Sequence, residues 1–173
     1  LYSGTGNEAF YSNAVSARQY TGSIQVLEAM LNQNFKLGIL NWENELAYTT
    51  SSNKEVLPLP TFSAYSNLYL HFKIAKVLTE RFGGDVRFFT KYYPPTYSPI
   101  IGQFALQDKS TQTEIGAYPI VNVYANMHLK HTRFYIMATH VNKSSNGGNY
   151  FLVPHYPINP LTIKFGLSWN FFN

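Results

Sequence analysis

The chain has 173 residues, a net charge of +4 and no cysteine, with 13% charged and 17% aromatic residues. That length holds one ordinary domain, and the missing cysteines exclude disulfide scaffolds and thiolate metal sites. The basic residues form no Lys/Arg run and no glycine-spaced signature, which argues against a nucleic-acid partner, and a charge content about half the roughly 25% of soluble domains points to a surface that does not mostly face water.

Period-2 alternation predicts seven strands. The first, about 22–36, is the least clear. The second, about 39–50, sets Leu40, Trp42, Leu46 and Tyr48 against Asn41, Glu43 and Glu45. The third, about 64–77, sets Leu68, Leu70, Phe72 and Ile74 against Asn67, Tyr69, His71 and Lys73. In the fourth, about 82–93, Val86, Phe88, Thr90 and Tyr92 oppose Asp85, Arg87, Phe89 and Lys91. The fifth, about 116–129, has Val121, Val123, Ala125, Met127 and Leu129 on one face. The sixth covers about 131–143. In the seventh, about 161–172, Ile163, Phe165, Leu167, Trp169 and Phe171 alternate with Lys164, Gly166, Ser168 and Asn170. Two stretches, "IQVLEAMLNQNF" and "FKIAKVLTERF", also carry good helix formers, so helix is their alternative.

The connections carry as much information as the strands. Tight joins fall near "KLG", "LTER" and "LKHT"; between them lie "SSNKEVLPLPTF", "YPPTYSPIIGQFALQDKSTQTE" and "NKSSNGGNYFLVPHYPINP". Short and long connections therefore alternate, as in an outer-membrane barrel with short periplasmic turns and long outside loops. No run approaches 18 apolar residues, so no transmembrane helix is expected. The expectation is an all-β fold: the last seven strands or so of an antiparallel transmembrane β-barrel of roughly 14–16 strands, with water in its lumen.

On that reading Lys73, Arg87, Lys91, Lys130, Arg133, Lys164, Glu43, Glu45 and Asp85 face the lumen. Trp42, Tyr48, Tyr92, Phe165, Trp169 and Phe171 face lipid or the interfacial girdles. A dry core would make the buried cations expensive, and a wet lumen removes that cost. The excess of cations there predicts a mild anion preference.

With the strands placed, "NFKLGILNWENELAY", "VLPLPTFSAYSNLYLHFKIAKVL", "DVRFFTKYYPPTYSPIIGQF", "GAYPIVNVYANMHLKHTRFYIM" and "NYFLVPHYPINPLTIKFGLSWNFF" resemble the C-terminal part of the "putative porin" family of the Bacteroidota. The resemblance runs from about residue 22 to the end. It implies a Gram-negative outer-membrane channel for passive diffusion of small hydrophilic solutes, and it carries no catalytic residues. Residues 1–173 are then one domain, with 1–20 in an extracellular loop or strand end. The start "LYSGTGNEAF" has no initiator Met or basic leader, so an internal start, in a mature product or a fragment of the longer family members, is expected. The implied partners are the bilayer with its lipopolysaccharide, other envelope proteins, and the barrel-assembly machinery, which would read the terminal Phe171 and Phe172 before Asn173.

Other chemistry lacks its parts. His128 and His131 have i,i+3 spacing but no carboxylate or thiolate nearby, so no metal is expected. His140 and His155 have no G-x-S-x-G elbow to serve, so neither an enzyme nor a cofactor is expected. Two further readings stand beside the porin: a soluble β-sandwich binding a ligand such as glycan through Tyr and Trp, and a non-conducting barrel that acts as a platform for partners.

Overall fold

A computed structural model describes residues 2–4, 15–17, 20–143 and 150–171. In chain order its strands are β1 (Tyr2–Gly4), β2 (Val15–Ala17), β3 (Val26–Leu37), β4 (Leu40–Ser51), β5 (Phe62–Ile74), β6 (Leu78–Phe89), β7 (Thr96–Ser98), β8 (Gln103–Ala105), β9 (Ile120–Leu129), β10 (Thr132–Thr139), β11 (Phe151–Val153), β12 (Tyr156–Pro157) and β13 (Thr162–Trp169). No helix occurs among the described residues, so both helix alternatives give way to strands, β3 and the β5–β6 hairpin. Much of the expectation for residues 1–20, and all of that for Phe172 and Asn173, lies outside the described residues.

Seven long strands form one antiparallel sheet in the order β13-β10-β9-β6-β5-β4-β3. Every pairing joins strands that follow one another along the chain once the short hairpins are set aside, which makes the sheet a meander. β1–β2, β7–β8 and β11–β12 are separate two-stranded sheets. The last two fold the long connections back on themselves, which alternation over three residues could not announce.

All three tight turns lie at one end of the sheet. Gly38, with φ of +59°, fills the first central position of the β3–β4 turn, the II′ pattern that suits strand twist. The β5–β6 turn is Ala75–Val77, with Ala75 and Lys76 both at positive φ. It lies before "LTER", so the third strand ends at Ile74 and the fourth begins at Leu78, earlier than the alternation predicts. Lys130 and His131 make the β9–β10 turn. At the other end, β9 starts only after Pro119, which has no N–H to give the ladder, and β10 stops before His140, whose φ is +57°. Leu40, first in β4, pairs with Leu70 rather than with Ile74 at the end of β5. The β3–β4 turn is therefore staggered along the ladder, as tilted strands require.

β6 carries the adjacent glycines Gly83 and Gly84. A Cβ on Gly83 would lie 2.4 Å from Tyr69 Cβ and 2.5 Å from the Leu68 carbonyl oxygen. A Cβ on Gly166 would lie 2.3 Å from the Tyr135 ring. Tyr69 and Tyr135 each sit opposite the glycine they cover. Large rings over bare backbone let the sheet bend at these points.

Candidate functional site

Residues opposite one another in an antiparallel ladder share a face, so the registers sort every side chain of the seven long strands. One face receives Leu31, Phe35, Leu46, Trp42, Leu68, Phe82, Val123, Ile136, Ile163 and Phe165, among others. The other receives Glu43, Glu45, Asn67, Tyr69, Asp85, Arg87, Asn122, Tyr124, Arg133 and Lys164. These strands hold eleven charged residues, and ten lie on the second face. The exception, Glu80, is near the start of β6 beside a tight turn.

The apolar face has no second sheet packed on it among the described residues. Phe165 is 83% exposed, Ile163 65%, Leu31 56% and Phe82 57%. The rung of Gln33, Asn44 and Ser66 crosses this face with polar side chains, yet so large an exposed apolar surface is more than a soluble monomer presents to water. Aromatic side chains gather near its ends. Phe35 and Trp42 lie 5.5 Å apart beside the β3–β4 turn, and Trp169 stacks on Phe171 at 6.4 Å where β13 ends. Tyr48 pairs with Phe62 toward the long loops.

The polar face is tied together by side chains. Asn34, Glu43, Asn67, Asp85 and Asn122 form a single rung across β3, β4, β5, β6 and β9. The Glu43 carboxylate accepts hydrogen bonds from the Tyr69 hydroxyl at 2.8 Å and from Asn67 Nδ2 at 3.2 Å. Asn67 Oδ1 accepts from the Tyr124 hydroxyl at 2.8 Å, and Asp85 accepts from Asn122 Nδ2 at 2.9 Å. Arg81 lies over the Tyr69 ring at 5.7 Å and Arg87 over the Tyr65 ring at 5.5 Å. Asn67, Tyr69 and Asp85 are buried while the apolar face is open, so it is the polar side on which side chains crowd. Charge and hydrogen bonding make that crowding affordable without a dry core.

Charge is also sorted along the strands. The three rungs nearest the tight turns hold Lys36, Lys73, Arg81, Arg133 and Lys164 and no carboxylate. The next two hold Glu43, Glu45 and Asp85 with a single cation, Arg87. The structure thus brings seven of the nine expected lumen residues onto one face. Lys91 lies past the end of β6, paired with Glu114 at 3.3 Å, and Lys130 lies in the β9–β10 turn. Of the expected lipid-side set, Trp42, Tyr48, Phe165 and Trp169 share the apolar face, while Tyr92 sits in the loop bridged to Ile115 and Phe171 follows β13. Arg81 was missed because "LTER" reads as turn. Its place opposite His71 shows only once the hairpin is shifted.

At the long-loop end a recess of about 410 Å³ is lined by Lys54, Glu55, Lys91, Tyr92, Lys109 and Glu114 among others. Lys109 bridges to Glu55 at 2.7 Å. Burial pushes the Tyr92 hydroxyl above its ordinary pKa. Just past the end of β10, His140 is almost fully buried. Its Nδ1 donates to the Asn159 carbonyl at 2.9 Å, which leaves Nε2 to accept from the Tyr118 hydroxyl at 2.8 Å in the neutral ring. This imidazole fastens the segment before β9 to the one before β13. His155 sits in the β11–β12 turn with φ of +67°. Among the described residues no three His, Cys, Asp or Glu side chains gather as a metal site.

Comparison with curated proteins and with solved structures returns no match. A family model described as "Putative porin" matches residues 2–173. With nearly the whole chain covered, and with an all-β antiparallel sheet of one polar and one apolar face, the chain belongs to the "Putative porin" family.

Proposed function

We propose that the seven long strands form an arc in the wall of an outer-membrane β-barrel of about 14–16 strands, through which small hydrophilic solutes diffuse passively. The observation that carries this reading is the partition of the sheet: ten of eleven strand charges on one face, and on the other a largely apolar exposed surface crossed by the Gln33, Asn44 and Ser66 rung. Lipid would cover the apolar face at no cost, while water and solute would occupy the polar one. The tight turns would then face the periplasm and the long loops the outside. Edge strands β3 and β13 each have one neighbour in the sheet, and further strands would close the wall. In assembly, β13 with Phe171 would be the segment offered to the barrel-assembly machinery, and lipopolysaccharide would meet the outer rim.

On the polar face six strand cations stand against four carboxylates, which supports the mild anion preference. A soluble sandwich would need a second sheet on the apolar face. The deciding experiment purifies the full-length protein in detergent and inserts it into planar bilayers. Stepwise conductance supports the porin. A folded, inserted barrel without conductance supports the platform reading, and a monomer that stays folded in plain buffer overturns the barrel.

A further inference from the structure

At the tight-turn end of the polar face, two neighbouring rungs enclose a recess of about 510 Å³. One rung is Lys73, Thr79, His128, Arg133 and Ser168, and the other is His71, Arg81, Asn126, Tyr135 and Gly166. His71, Arg81, Asn126, His128, Arg133 and Tyr135 line the recess. Every charged group on these rungs is a cation, and the nearest same-face carboxylates, Glu43 and Asp85, lie two rungs away beyond Tyr69 and Tyr124. Glu80 points to the opposite face. Among the described residues neither Arg81 nor Arg133 makes an ion pair. Arg81 is steadied over the Tyr69 ring instead, which leaves its N–H fork free to meet a ligand.

We propose that this recess is a binding site for a small oxyanion, a phosphate or carboxylate group on a passing solute. Arg81 and Arg133 supply charge-assisted donors from two strands, while Asn126, His71, His128 and the Tyr135 hydroxyl complete a hydrogen-bonding surface around it. Tyr135 lies across Gly166, where any side chain would collide with its ring, so that the ring is held beside the recess. Because carboxylates dominate the rungs beyond Tyr69 and Tyr124, an anion would be held at the tight-turn end rather than spread along the strands. The site rests on the porin reading, since only a water-filled lumen brings solute to it.

The test records chloride current through the full-length protein in planar bilayers while inorganic phosphate is added to each side in turn. Phosphate is expected to reduce the current with saturation, more effectively from one side. Arg81→Gln and Arg133→Gln should each raise the half-blocking concentration about tenfold, the loss of one charge-assisted hydrogen bond. Ser168→Lys, which adds a cation to the Arg133 rung, should lower it, a gain that misfolding cannot imitate. Lys109→Gln, at the loop end, should leave it unchanged. Current without phosphate block, or a block that ignores Arg81→Gln, Arg133→Gln and Ser168→Lys alike, overturns the site and leaves the porin standing. A correctly inserted protein that passes no current overturns the porin reading itself.

Discussion

Lys130 shows how much a single position can cost. It occupies the β9–β10 turn with φ of +49°, where a Cβ crowds the following carbonyl and only glycine is at ease. Lys130→Gly is expected to stabilise the protein by about 1 kcal/mol, seen as a higher urea midpoint for unfolding from lipid vesicles. No change, or a loss, would show that the turn does not hold this conformation. At this scale the sequence was most readable where residue type and parity agree. Glu43, Asp85, Arg133 and Lys164 fall on the polar face, each beside an apolar residue of the other face, Trp42, Val86, Phe134 and Phe165. It was least readable where a strand end had to be guessed. Lys91 and Lys130 sit just past strand ends, and Arg81 just inside one, so a shift of a few residues decides their roles.

For whole strands, turn chemistry decided what could be read in advance. "KLG" announces its turn through glycine. Ala75–Val77 has no Gly, Pro, Asn or Asp, so nothing local marks it, and the β5–β6 hairpin is set instead by the register of two long strands. β6 is also the strand most sensitive to bulk. Gly83→Val would place atoms where Tyr69 Cβ and the Leu68 carbonyl already are, and should cost about 1–3 kcal/mol by overpacking. A fall in the folded fraction on heat-modifiability gels checks it; unaltered stability would mean that β5 and β6 are not so closely apposed. The two faces can be told apart by one kind of change. Leu68→Arg, mid-strand on the apolar face, should cost about 2–4 kcal/mol if that face meets hydrocarbon. Asn126→Arg, on the polar face, should be far milder. Equal costs would remove the distinction between the faces.

For the molecule as a whole, the imbalance on the polar face is a prediction about ions. Reversal potentials across a KCl gradient should show chloride favoured modestly over potassium, and less so as ionic strength rises and screening shortens. Potassium preference would overturn the anion preference. The seven-strand meander and its alternation of tight and long connections were legible because period-2 patterning and turn spacing are local signals. The three small hairpins were not, since two or three residues carry no period.

The meander also bears on how the sheet is built. Each long strand pairs only with its neighbours in chain order, so no pairing within this sheet waits on a distant partner. β3–β4, β5–β6 and β9–β10 close across two or three residues, where loop entropy is small, and such hairpins form within microseconds when free. Assembly can then proceed by docking three ready-made hairpins edge to edge and laying β13 against the last of them. In the proposed barrel, a protease that nicks the long loops after insertion is expected to leave the seven-strand sheet paired.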